Sequence, residues 1–142
     1  MGSLADIIVA DSGDSQAILN SEYPLGTYQG VNSDGLNPLH ISALHALLTD
    51  KDFSQVKEEY RPISKDPAKG PWLVRIPQDL ITALTNIAPH DIASMASQWA
   101  ATDRLREEEW SGQETEHYLA QLVHFSQTAL FEEREVFLCV YS

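Results

Sequence analysis

The sequence predicts an α+β fold, a small sheet of three to four strands packed against four to five helices, and three observations lead there. Residues 70–102 read as one buried strand followed by two apolar-faced helices, and the rest of the chain looks arranged around them. Runs of β-branched and aromatic residues stand near both ends, at 6–10 and 136–141. Between these runs, apolar residues recur at three- and four-residue spacings, the period of an amphipathic helix. At 142 residues the chain is expected to form a single domain, with a core large enough to need neither metal nor disulfide support.

Each element has a local reason. Asp6-Ile7-Ile8-Val9-Ala10 is a short strand run, and the small polar residues of Asp11-Ser12-Gly13-Asp14-Ser15 turn the backbone into a helix over 14–20. Residues 22–35 carry Pro24, Gly26, Gly30 and Gly35 with little apolar periodicity, so they are expected to be loop, with Tyr23, Leu25 and Tyr28 folded onto the core. Asn37-Pro38 pairs a favoured cap with a favoured first helical residue, and Ile41, Leu44, His45 and Leu48 share one face down to about Thr49. A short helix over 53–60 would carry Phe53, Val56 and Lys57, and 65–70 is the most loop-like stretch in the chain.

Trp72, Val74 and Ile76 then alternate on one strand face. Pro77 starts a helix with Leu80, Ile81, Leu84, Ile87 and Ala88 on one stripe, and Pro89 restarts a second with Ile92, Met95, Ala96 and Trp99. The mixed-charge run from Asp103 to Glu109 reads as a solvated tail of that second helix. Ser111 and Glu114 match a capping box that opens a helix to about Phe131, with Tyr118, Leu122, Phe125 and Ala129 in line. Val136-Phe137-Leu138-Cys139-Val140-Tyr141 is continuously apolar, as for a strand covered on both faces or running through the sheet centre. Strand pairing and oligomeric state stay open at this level.

Charge narrows the function classes. Nine Lys and Arg against 21 Asp and Glu leave a formal net charge of −12, which repels both nucleic-acid phosphates and anionic membrane surfaces. A basic protein partner fits this balance. The single cysteine, Cys139, excludes an intrachain disulfide, and Met1-Gly2-Ser3-Leu4-Ala5-Asp6 has neither a secretory pattern nor a myristoylation site, so a cytoplasmic location is expected. No apolar run approaches a bilayer span, and no repeat or low-complexity segment occurs.

Several features together resemble an uncharacterised family of small bacterial proteins, a domain of unknown function of about this length. They are Leu44 to Thr49 at a helix end, Gly70-Pro71-Trp72-Leu73-Val74-Arg75-Ile76-Pro77, Trp99-Ala100-Ala101-Thr102, Trp110 before a helix, and an apolar finish ending in Ser142. The likeness covers most of the chain. That family often has tryptophan where this chain has His45 and Cys139, which implies that both positions face the core, and its members commonly lack the serines of the 11–15 turn. It implies no catalytic residues.

Candidate chemistry is sparse. Gly13-Asp14-Ser15 after a strand is similar to the nucleophile block of GDSL-type serine hydrolases, but no histidine follows His124 to take the serine proton, and a capping turn is the preferred reading. His40 and His45 are about 140° apart on a helix, and His117 and His124 about 10 Å apart along one, so neither pair chelates an ion alone. No Cys-x-x-Cys, His-Glu-x-x-His or Gly-rich phosphate loop is present, and neither a metal nor another cofactor is expected, with a metal site assembled from distant segments left as the open alternative. His45 reads as a hydrogen-bonded core histidine, Cys139 as an inert core thiol, and Trp72, Trp99 and Trp110 as packing. The preferred function is a non-catalytic, acidic interaction module that meets a basic protein, as an immunity or antitoxin-like protein does. The alternative is a small-molecule binder or hydrolase with a site near the 22–35 loop, for which Tyr23, Tyr28 and His45 are the candidate ligand-binding residues.

Overall fold

A computed structural model of the chain describes residues 4–141; the Met1-Gly2-Ser3 start and the closing Ser142 lie outside the described residues. The elements run β1 (Leu4–Ala10), α1 (Ser15–Asn20), β2 (Gln29–Asn32), α2 (Pro38–Thr49), α3 (Phe53–Val56), β3 (Trp72–Arg75), α4 (Gln78–Thr85), α5 (Ile92–Ala100), α6 (Asp103–Glu107), α7 (Gly112–Glu132) and β4 (Glu135–Tyr141). The strands form one antiparallel sheet in the order β2-β1-β4-β3, which makes the fold α+β as the sequence predicts.

The two apolar end runs are the two central strands, paired along their whole length from Leu4 with Tyr141 to Ala10 with Glu135. Because successive side chains point to opposite faces, each strand feeds two cores. Ala5, Ile7 and Val9 join Val136, Leu138 and Val74 beneath the helices, while Ile8, Ala10, Phe137, Cys139 and Leu73 meet Ile18 and Leu19 of α1 on the other face. Cover on both sides is why neither run alternates with polar residues. On the larger face α7 lies against α4, α5, β1 and β4, and α2 packs on α3, α4, α5 and α6.

Capping fixes the helix that matters most for the site. The Asn37 Oδ1 accepts from the amides of Leu39 at 2.9 Å and His40 at 3.1 Å, Pro38 supplies the first turn, and the helix closes on Asp50 in the left-handed region at φ 53°. At the start of α7 the Ser111 hydroxyl accepts from the Glu114 amide at 3.1 Å, which supplies the N-cap half of the expected capping box.

Four local expectations need correction. The 22–35 segment is not all loop: residues 29–32 pair with β1 as an edge strand. Gly30 lies so close to β1 that a Cβ there would sit 2.1 Å from the Ile7 carbonyl oxygen, so glycine marks a close backbone approach here. Lys57 is exposed and falls in a 3-10 turn after α3, leaving Val56 as the buried residue of that piece. Trp72 is only half-buried, its indole donating to the Pro67 carbonyl at 3.0 Å and lying over Gly70 instead of entering the core with Val74 and Ile76. The charged run 103–109 contains a separate helix, α6, anchored by the buried Leu105. No helix among the described residues is long and apolar enough to cross a membrane.

Candidate functional site

The register set at Asn37 carries His40 and His45 to the buried side of α2, where each ring is tied at both nitrogens. His45 is fully buried, with Nδ1 2.8 Å from the Tyr60 hydroxyl and Nε2 2.9 Å from Asp79 Oδ2. Tyr60 follows the turn after α3, and Asp79 sits in the first turn of α4. Burial, reinforced by the charges of Asp79 and Glu59, drives the Tyr60 phenol well above its ordinary pKa, so it keeps its proton and donates it to Nδ1. The ring proton then sits on Nε2 and is donated to Asp79.

Lys51 approaches from the solvent side, its Nζ 2.8 Å from the same Oδ2. Burial alone would raise the Asp79 carboxyl; hydrogen bonds from Lys51 and His45 outweigh it and hold the group down at about 2. Hydroxyl, imidazole and carboxylate thus stand in line as in a nucleophile–base–orienter triad. Tyr60, however, is only 6% exposed and its phenol resists ionisation, so the line-up ties elements together and presents no nucleophile. Glu59 completes the neighbourhood: one ligand atom each from His45, Glu59 and Asp79 lie within 4.8 Å of one another.

His40 makes the second network. The Asn37 amide donates to its Nδ1 at 3.1 Å, and Nε2 lies 2.9 Å from both carboxylate oxygens of Glu108. A nitrogen that accepts an amide proton holds none of its own, so His40 is the neutral Nε2–H tautomer. Burial pulls its pKa below the ordinary 6.5, against the upward influence of Glu108. The Trp110 ring packs at a 59° tilt 4.4 Å from the imidazole, and the fully buried Trp99 donates from Nε1 to the His40 carbonyl at 3.0 Å.

A third buried polar group lies at the sheet. Asp6, 1% exposed, accepts from Asn32 Nδ2 at 3.1 Å and from the Tyr141 hydroxyl at 3.0 Å. Burial and the adjacent Asp6 push the Tyr141 phenol up to about 12, and burial followed by Asp6 pushes the Cys139 thiol up to about 11.

The three sequence candidates do not come together. His45 lies beneath the helices, Tyr28 is half-buried on the opposite face of the sheet, and Tyr23 is 67% exposed. The loop that carries both tyrosines belongs to the α1 side, which separates them from α2 by the thickness of the sheet. A cleft of about 550 Å³ opens elsewhere, between α2, α3 and α6, with Ala43, Leu47 and Phe53 among its apolar lining and Lys51 and Arg104 among its charges.

The reading of Glu108 as solvated holds, since its side chain is 41% exposed, but its carboxylate also meets the buried His40, to which the sequence assigns no role. The signal for His40 was local: it stands three residues after the Asn37 cap, where a side chain returns to the cap amide. At Asp14 the same logic holds, since its Oδ2 accepts from the Asp11 amide at 3.1 Å and Ser15 opens α1, as a capping turn requires. Tyr60 and Asp79 as partners of His45 had no local signal, being 15 and 34 residues away. No family model, curated protein or solved structure matches this chain.

Proposed function

We propose that the protein is a non-catalytic, acidic interaction module, immunity- or antitoxin-like, that docks a basic protein partner in the bacterial cytoplasm. The carrying observation is the C-terminal end of α7, where Phe131 is 90% exposed and Leu130 50% exposed, followed directly by the exposed Glu132 and Glu133. An aromatic side chain bared to water beside carboxylates matches the anchor-and-rim pattern of protein interfaces, and the net charge of −12 selects a basic surface to receive it. Arg134 offsets part of the Glu132 charge at 3.7 Å and also pairs with Asp11 at 3.4 Å, which leaves Glu133 as the carboxylate beside Phe131 without that pairing to Arg134.

The test compares the full chain with its Phe131→Ala variant as immobilised bait in native lysate at low salt. A basic polypeptide retained in stoichiometric amount by the wild type, released by high salt and lost from the variant supports the proposal. Absence of such a polypeptide, or equal retention by both baits, refutes it. The cleft between α2, α3 and α6 favours one second reading, binding of a small amphipathic molecule between Phe53 and the mixed charges of Lys51, Arg104, Asp103 and Glu107.

A further inference from the structure

Three segments distant in sequence bring an imidazole and two carboxylates to one point. His45 comes from the middle of α2, Glu59 from the turn after α3, and Asp79 from the first turn of α4, with their ligand atoms within 4.8 Å of one another. Bonds of about 2.0–2.2 Å to one ion would draw these atoms closer together, and the exposed side chains of Glu59 and Asp79 are the ones with room to move. We propose that His45 Nε2, Glu59 and Asp79 form a binding site for a divalent first-row transition ion of the Zn²⁺ or Mn²⁺ type, which enters by displacing the Lys51 ammonium.

Two features separate this set from an ordinary group of surface acids. The imidazole is fully buried, with Nε2 2.9 Å from Asp79 Oδ2 and the Tyr60 oxygen 2.8 Å from Nδ1, the outer partner that a metal-bound histidine needs to fix its ring. A cation is also already drawn into the set: Lys51 Nζ sits 2.8 Å from Asp79 Oδ2 on a side chain 46% exposed, free to swing outward. One nitrogen and carboxylate oxygens suit Zn²⁺ or Mn²⁺ better than the all-oxygen preference of Ca²⁺ and Mg²⁺.

Binding requires Nε2 to be bare. The ring proton leaves Nε2 and one is taken up at Nδ1, which then donates to the Tyr60 oxygen; Tyr60 keeps its own proton and the exchange releases none overall. The bound ion would clamp α2, the turn after α3 and the start of α4, and so acts on stability independently of any protein partner.

The experiment is calorimetric titration of the chelator-treated full chain with ZnCl2 and separately MnCl2, together with thermal unfolding with and without the ion. Wild type is expected to bind one equivalent and to unfold at a higher temperature with the ion. Glu59→Gln, at an exposed position, should leave metal-free unfolding unchanged yet weaken binding by about tenfold or more. Lys51→Met should tighten it by about threefold or more, since the competing ammonium is gone. No saturable binding by wild type below about 1 mM ion overturns the proposal. Glu59→Gln binding like wild type, or Lys51→Met binding no tighter, overturns it equally.

Discussion

Glu107, Glu108 and Glu109 are consecutive carboxylates, and Glu108 should matter far more to stability than Glu107. Its two oxygens accept from His40 Nε2 at 2.9 Å, and His40 is 1% exposed, so truncation leaves a buried donor that water reaches only through the vacated carboxylate's path. A hydrogen bond to a charged group contributes about 1.5–3 kcal/mol, and the unmet donor keeps Glu108→Ala in that range. For a chain of this size each kcal/mol moves the midpoint by about 3–5 °C, so Tm should fall by roughly 5–15 °C. Glu107→Ala is the matched control, an exposed residue of α6 expected to change stability by less than about 0.5 kcal/mol. Urea unfolding at pH 7.5 and differential scanning calorimetry give both numbers. If the two variants agree within error, His40 is not held by Glu108 and the network argument fails.

Two more outcomes can be measured on the same material. Because the folded His40 has a depressed pKa and the unfolded one titrates near 6.5, the unfolded state binds the extra proton, so stability is full above pH 6.5 and declines as the pH falls below it toward the folded value. His40→Gln retains a side chain suited to the Asn37 cap and should flatten that decline in urea midpoints from pH 7.5 to 5; a slope equal to wild type would discount His40 as its source. Cys139, buried and with its thiol pushed from 9.0 to about 11, should react with a thiol reagent at pH 8 about a hundredfold or more slower than in the urea-unfolded chain. Comparable rates in the two states would place the thiol at the surface.

How much of this was legible depends on the range of the forces involved. β1 and β4 were readable because cover on both faces demands apolar residues at every position, a signal carried within each strand. β2 was not, since Gln29, Gly30 and Asn32 have no strand signature; what makes them a strand is their pairing with Asp6 to Val9 of β1, close enough at Gly30 to leave no room for a Cβ, which only the assembled sheet supplies. The burial of His45 followed from its place on the α2 stripe, whereas its partners depend on how α4 and the turn after α3 pack on α2. Trp72 misled because period-two alternation assigns a face but not the reach of a large ring, which here turns back over Gly70. Glu108 is exposed like its neighbours, and a charge run does not reveal which of its members a buried imidazole reaches.

The pairing of β1 with β4 has a consequence for synthesis on the ribosome. Residues 135–141 form the wedge between β1 and β3, which do not neighbour each other in the sheet, so the nascent chain lacks a continuous sheet until that wedge has left the exit tunnel. Until then the β1 edge that takes β4 stays unpaired, and a ribosome stalled upstream of Glu135 would present to chaperones that edge and a core still lacking Val136, Phe137 and Leu138.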